Sequence, residues 1–457
     1  MHSGRSWNIQ PDVFAPNLRR SVYAEVLREA LAAVDPYQCV RQVLQRSGAR
    51  IRAGGAMVNL EHVAHVWVLG FGKAAAVMAQ AVEDVLDDYV DGGIVVVKDG
   101  YAVPTRRVQV MEAGHPVPDE RSVQGAQAVL ALAQKAQEDD LVLVVISGGG
   151  SALLTLPAEG VTLEDIRTTT EVLLRAGATI NELNAVRKHL SAVKGGQLAR
   201  ALAPARVIGL VLSDVIGNPL DVIASGPLSP DPTTFADAWA VLEKYRVLDK
   251  VPPRVREHLQ AGMAGAVRET PKPGDPVFDR VHMVIVGDNA HAATAAARAA
   301  ANRGYRALIL TTFLEGEARE VAKAVAALGK EVVRHRRPVP PPACLILGGE
   351  TTVTVRGGGK GGRNQELALS AALTLEGWPD ITVIALGTDG TDGPTDAAGG
   401  MVDGGTVQRA RDAGLDPLRH LQNNDAYPVL AATHDLIRTG PTRTNVNDLV
   451  LVFVERS

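Results

Sequence analysis

Six consecutive aliphatic residues, Leu141-Val142-Leu143-Val144-Val145-Ile146, run directly into Ser147-Gly148-Gly149-Gly150-Ser151. An apolar run of that length, rich in valine and stopped by glycine, reads as a strand covered on both faces. The chain repeats the arrangement. Strands predicted over 66–69, 207–212, 283–286 and 381–386 end at Gly70-Phe71-Gly72-Lys73, Ser213-Asp214, Gly287-Asp288-Asn289 and Gly387-Thr388-Asp389-Gly390-Thr391-Asp392. Helical periodicity separates them, as over 74–86 and 290–301. Strands without a polar face, joined by helices, predict α/β architecture with parallel sheets. A length of 457 residues exceeds one ordinary core. The proline-rich polar stretch over 268–279 marks the break, giving a Rossmann-like α/β domain over 1–270 and a second α/β domain over 271–457.

Loops that follow parallel strands open at the carboxyl edge of a sheet, where ligands of such folds bind. This gathers the segments above into one candidate site. Gly70 to Ala75 satisfies the loose G-x-G-x-x-[GA] dinucleotide pattern, and Lys73 stands at a helix start, where a cation is unfavourable unless an anion neutralises it. Ser147, Gly148, Gly149, Gly150 and Ser151 suit an amide nest with two hydroxyl donors for a carboxylate or phosphate. A tight turn with a serine cap is the plainer reading of the same residues.

The stretch 344–369 carries a second anion signal. A strand over 344–347 and another over 351–355 lead into Arg356-Gly357-Gly358-Gly359-Lys360-Gly361-Gly362-Arg363, five glycines among three cations, and a helix opens at Asn364-Gln365-Glu366. Glycine amides and a helix start predict a bound oxyanion, with Gly361, Gly362, Asn364 and Glu366 lining it. The Arg363 guanidinium offers a fork of donors at its mouth. Asp389 and Asp392, three apart on a glycine turn, are candidate Mg²⁺ ligands, and Asp214 is a third carboxylate for metal or proton. Short Asp-Gly turns also form with no ligand. Arg187 and Lys194 lie on a cationic segment, 181–194, that reads either as a solvated face or as anion contacts. His115-Pro116-Val117-Pro118-Asp119 is a rigid loop, pocket lining or plain turn.

Composition narrows the partners. A net charge of −4 gives no reason to expect nucleic acid or an acidic membrane. Two distant cysteines, Cys39 and Cys344, build no disulfide scaffold, no apolar run reaches membrane-spanning length, and no apolar leader opens the chain, so a cytoplasmic protein is expected.

With these residues assembled, the chain resembles the class II glycerate kinases with a C-terminal MOFRL domain. The likeness rests on GFGKAA (70–75), EAGHPVPDE (112–120), SGGGSALL (147–154), NAVRKHLSAVKGG (184–196), SDVIGNPLDVIASGP (213–227), DPTTFADA (231–238), GGRNQELAL (361–369) and TDGTDGPTDAAGG (388–400). The resemblance implies two three-layer α/β domains, mostly parallel sheets, with the active-site cleft between them. It implies ATP-dependent phosphorylation of D-glycerate to 2-phosphoglycerate with Mg²⁺ or another divalent cation. Lys73 and Arg363 match the lysine and arginine of the family's active site. ATP and D-glycerate are then the partners, with a homodimer as the assembly considered. Two rivals stand beside this reading: an NAD(P)H-dependent hydroxypyruvate reductase, and a non-catalytic anion-binding sensor.

Overall fold

Unbroken aliphatic runs do form the sheet interiors. The computed structural model describes residues 18–456 and gathers them in two compact units, Pro36–Val286 and a second made of Gly287 onward with the residues before Pro36.

The first unit begins with a helix, Pro36–Val43, and a three-stranded meander, β1 (Leu44–Ser47), β2 (Arg50–Ala53) and β3 (Ala56–Asn59). The main sheet follows: β4 (Val66–Phe71), β5 (Gly92–Lys98), β6 (Val108–Ala113), β7 (Leu141–Ile146), β8 (Arg206–Leu212) and β9 (Val281–Gly287), in the order β6-β5-β4-β7-β8-β9. The pairs β4/β5, β4/β7, β5/β6 and β7/β8 are all parallel. All six residues of β7 are buried, as its lack of a polar face requires. The chain leaves β4 towards one edge and returns at β7 to build the other, the doubly wound order of dinucleotide-binding folds. β9 is the edge strand, joined where the Val207 amide donates to the Arg280 carbonyl at 2.9 Å. The unit therefore runs past the expected break near 270.

The second unit contains β10 (Arg306–Leu314), β11 (Ala343–Gly349), β12 (Ile381–Gly387), β13 (Gly399–Asp403), β14 (Leu436–Ile437) and β15 (Asp448–Val454), in the order β10-β11-β15-β12-β13-β14. Its α/β character is as expected, but the sheet is mixed. Only β10/β11 is parallel, while β15 runs antiparallel between β11 and β12. An apolar run such as 449–454 reports burial on both faces, not direction, so the final strand gave no warning. The helix Leu18–Ala33 belongs to this unit. Tyr23 stacks on Phe453 at 4.0 Å between centroids, and Arg20 pairs with Asp435 at 2.6 Å and Asp403 at 2.8 Å. No helix among the described residues is long and apolar enough to cross a membrane.

Candidate active site

In the first unit, β4 and β7 lie side by side at the point where strand order reverses, and the loops after them form the crevice edge. The two loops interlock. A β-carbon on Gly70 would sit 2.3 Å from Val145 Cγ2, and one on Gly72 would sit 2.3 Å from Ser147 Oγ. The Lys73 amide donates to the Gly148 carbonyl at 2.9 Å, and the Ala74 amide donates to Ser147 Oγ at 2.9 Å. These glycines thus admit the neighbouring strand and loop, and the buried Ser147 hydroxyl is held by protein. Gly149, at φ +83°, caps the short helix Gly150–Leu153.

Three cations flank this second loop without a carboxylate partner among the described residues. Lys73 stands two residues before the helix Ala75–Leu86. Lys194 is fully buried, donating to the carbonyls of Ser151 at 2.5 Å and Leu154 at 2.8 Å. Burial, then the charge of Arg187, pushes its ammonium down to about 7. Arg187 has Thr170 Oγ1 at 3.5 Å, and burial lowers its pKa. The solvated-face reading of 181–194 is therefore corrected. Lys188 and His189 are buried as well, Lys188 beside Asp231 at 3.3 Å and His189 against Glu269 at 2.9 Å. Sequence periodicity missed this because buried cations on a short helix look the same as exposed ones.

Polar residues not singled out beforehand complete the loop. Ser151 Oγ lies 2.8 Å from Ser225 Oγ, which donates to Asn184 Oδ1 at 3.0 Å. Ala224 and Ser225 hold positive φ, 51° and 62°, a conformation such residues adopt only where surroundings enforce it. Asp214 lies just past β8, half-buried. Asp99, the acid after β5, is clamped by Arg121 at 2.6 and 2.8 Å.

In the second unit, the ends of β11 and β12 face the start of β15, where Gly349 and Gly387 both pair with Asp448. Helix Arg363–Thr374 starts beside them. The expected oxyanion at its mouth is supplied in part by the protein: Asp392 Oδ1 accepts from the Asn364 amide at 3.1 Å and Oδ2 from the Gln365 amide at 2.8 Å. Gly362 leaves room for that carboxylate. Burial pushes Asp392 up to about 6, against those amides, and Asp448 adds repulsion. Nor is the Arg363 fork free. Nε and Nη2 donate to Asp448 at 2.6 and 2.9 Å, and Nη1 lies 2.7 Å from Glu350. Burial works against the guanidinium charge, but these carboxylates outweigh it and raise its pKa.

The glycine loop is likewise tethered. Asn424 Oδ1 accepts from the Arg356 and Gly357 amides, the Asn423 carbonyl from Gly359, and Asp425 Oδ1 from Lys360, at 2.7, 3.1, 3.0 and 2.7 Å. The strand expected over 351–355 does not form, leaving one bridge, Glu317 to Thr352. Glu366 is buried against Arg319 at 2.7 Å and Asn424 at 2.8 Å, which makes it a brace. Asn364 Oδ1 and Gln365 Oε1 are buried without a hydrogen-bond partner.

A divalent cation fits these residues only through Asp389. Asp392 spends both oxygens on amides, whereas Asp389 uses Oδ1 for Thr391, at 3.0 Å to the amide, and its Oδ2 accepts no hydrogen bond among the described residues. No group of three His, Cys, Asp or Glu suited to a metal occurs among the described residues. One carboxylate matches Mg²⁺ carried mainly by phosphate and water.

Known proteins align with this architecture over nearly its whole length. A model described as a domain of unknown function, DUF4147, matches residues 22–260, and the MOFRL family model matches residues 343–448. The glycerate 2-kinase of Pyrococcus horikoshii is 45% identical, covering 95% of this chain and 97% of that one. A putative hydroxypyruvate reductase of Agrobacterium vitis is 42% identical over 98% of this chain and 96% of its own. The solved glycerate kinase of Thermotoga maritima superposes with a TM-score of 0.86 at 43% identity, covering 96% of this chain and all of that one. The chain belongs to the glycerate kinase family with a C-terminal MOFRL region.

Proposed function

We propose that this protein transfers the γ-phosphoryl group of ATP to the 2-hydroxyl of D-glycerate, giving 2-phosphoglycerate and ADP. The observation that carries the reading is Lys73, a cation without a carboxylate partner among the described residues, set at a helix start beside the Ser147–Ser151 loop. Phosphoryl transfer needs positioning and charge stabilisation more than covalent chemistry. In this reading Lys73 meets the charge that builds on the moving group, and Arg187 and Lys194 make the Ser147–Ser151 loop attractive to the glycerate carboxylate. Arg363, held by Asp448 and Glu350, is an oriented cation for the phosphates, and Asp389 would hold Mg²⁺. The cation supplies charge neutralisation on the phosphates. Cytoplasmic residence remains part of the proposal.

The reductase reading has a named relative in its favour and the doubly wound strand order. Against it, Gly70 and Gly72 make room for Val145 and Ser147 rather than for a pyrophosphate, and Asp99 is bound to Arg121 instead of being available to a ribose. The test follows ADP formation and NADH loss in parallel, with D-glycerate and hydroxypyruvate offered separately. ADP formation with glycerate, abolished by EDTA and feeding enolase directly, is expected. NADH oxidation without ADP overturns the kinase reading, and signal only after phosphoglycerate mutase is added overturns the 2-position.

A further inference from the structure

The sequence places His115 in a rigid loop, and the transfer proposed above leaves it without a role. Its geometry is specific. A β-carbon on Gly149 would lie 2.9 Å from both Cδ2 and Nε2 of His115 and 3.5 Å from Lys73 Cγ. The imidazole therefore turns its Nε2 edge onto the backbone of the glycine loop, next to Lys73. The loop that carries it is pinned at both ends. Asp119 accepts from the Gly114 amide, and the Arg167 guanidinium donates to the Pro118 carbonyl at 2.8 and 2.6 Å.

We propose that His115 is the general base of the reaction, taking the proton of the attacking glycerate hydroxyl on Nε2. The inference rests on the kinase reading. As the hydroxyl oxygen bonds to the γ-phosphorus and the bond from that phosphorus to the ADP oxygen breaks, the O–H proton moves to Nε2. It passes to water when the products leave. Nδ1 carries the ring proton in the reactive tautomer.

The charged groups around the ring favour this assignment. Lys73 at the end of β4 and Lys98 at the end of β5 are the charges that act on it, and burial, then these two lysines, pushes it down to about 4. Asp119 on its own loop is turned to Arg121, and Arg167 from helix Leu163–Arg175 is engaged with Pro118. The ring is accordingly neutral at physiological pH and able to accept a proton. Bound phosphates and a carboxylate raise its proton affinity, so basicity grows when substrate arrives. The carboxylates of the second unit suit the task less well, since Asp392 is committed to two amides and Asp448 to Arg363.

The test compares wild type, His115→Gln and His115→Ala by steady-state kinetics from pH 6 to 9, with melting curves as folding controls. Removal of a general base is expected to lower kcat by roughly 10²–10³ with KM within a few-fold. In the variants log kcat should rise with pH where wild type is flat, and added imidazole should restore part of the rate to His115→Ala. A His115→Gln kcat within fivefold of wild type overturns the proposal, and so does a loss confined to KM. Carbethoxylation of the wild-type protein, mapped by mass spectrometry, decides the case where both variants fail to fold. Loss of turnover in step with modification of His115, prevented by bound substrates, supports the base. Full turnover with His115 modified overturns it. Absence of ADP formation by wild type in the same assay removes the kinase reading itself, a distinct outcome.

Discussion

Arg363 and Asp448 meet through two parallel hydrogen bonds, Nε to Oδ2 at 2.6 Å and Nη2 to Oδ1 at 2.9 Å. Asp448 is the first residue of β15 and is 4% exposed at its side chain, so the arginine neutralises a buried carboxylate. A substitution of this arginine therefore perturbs the fold as well as any bound phosphate. Breaking a buried pair costs about 3–5 kcal/mol, and the partial exposure of Arg363 points to the lower end.

Arg363→Ala should lower both the melting temperature and kcat, the latter by roughly 10²–10³ if it contacts the transferring group. Adding Asp448→Asn removes the stranded charge. The double variant should regain most of the stability and none of the turnover. Denaturant unfolding and kinetics on wild type and the two variants check this, and recovery of turnover together with stability would make Arg363 purely structural.

Lys73→Met is expected to behave differently. Lys73 forms no ion pair among the described residues, so unfolding free energy should stay within about 0.5 kcal/mol of wild type. Loss of a charge that acts in the transition state should lower kcat by roughly 10²–10³. A rise in KM at constant kcat would make it a ground-state clamp instead.

Gly72→Ala tests the interlocked loops. The added carbon would lie 2.3 Å from Ser147 Oγ and 2.4 Å from its carbonyl oxygen, at a φ of +124°. Left-handed strain alone costs ~1–3 kcal/mol, and the clash adds to it. Calorimetry should show a destabilised protein, with kcat lowered because Lys73 shifts with the turn.

Asp392 sets a pH dependence. Its folded pKa of about 6 lies above that of an unfolded carboxylate, so the native state holds the extra proton between about pH 4 and 6. The stability linked to that proton is complete below this window and is lost as pH rises through 6. The loss is of order 3 kcal/mol. Urea unfolding of wild type and Asp392→Asn across pH 4–7 should show a decline in the first that is flattened in the second. Parallel curves would mean that Asp392 titrates normally.

The first unit was the more legible in the sequence. Runs such as 141–146 announce strands by composition alone, and the glycine stops after them sit where the crevice forms. The meander over 44–59 was not anticipated, because four-residue strands carrying Gln45, Arg46, Arg50 and Arg52 lack a periodic apolar signal. In the second unit, glycines and cations between 356 and 363 resemble an open anion loop, yet the partners that close it, Asn424, Asp425 and Asp392, come from distant segments. Spacing along a chain cannot reveal a carboxylate that folds back to fill the seat expected for a ligand. His115 was hidden for a similar reason: its closeness to Gly149 arises from β6 and β7, consecutive strands in the chain that β5 and β4 separate in the sheet.

The fit of Gly72 against Ser147 makes their loops a single heritable piece. Lengthening either one would separate the Lys73 amide from the Gly148 carbonyl and leave the Ala74 amide without its hydroxyl. Insertions and deletions should consequently be purged from both turns across descendants of this chain, while the meander ahead of β4 remains free to vary. Transplanting one loop into another doubly wound scaffold would require moving its counterpart with it.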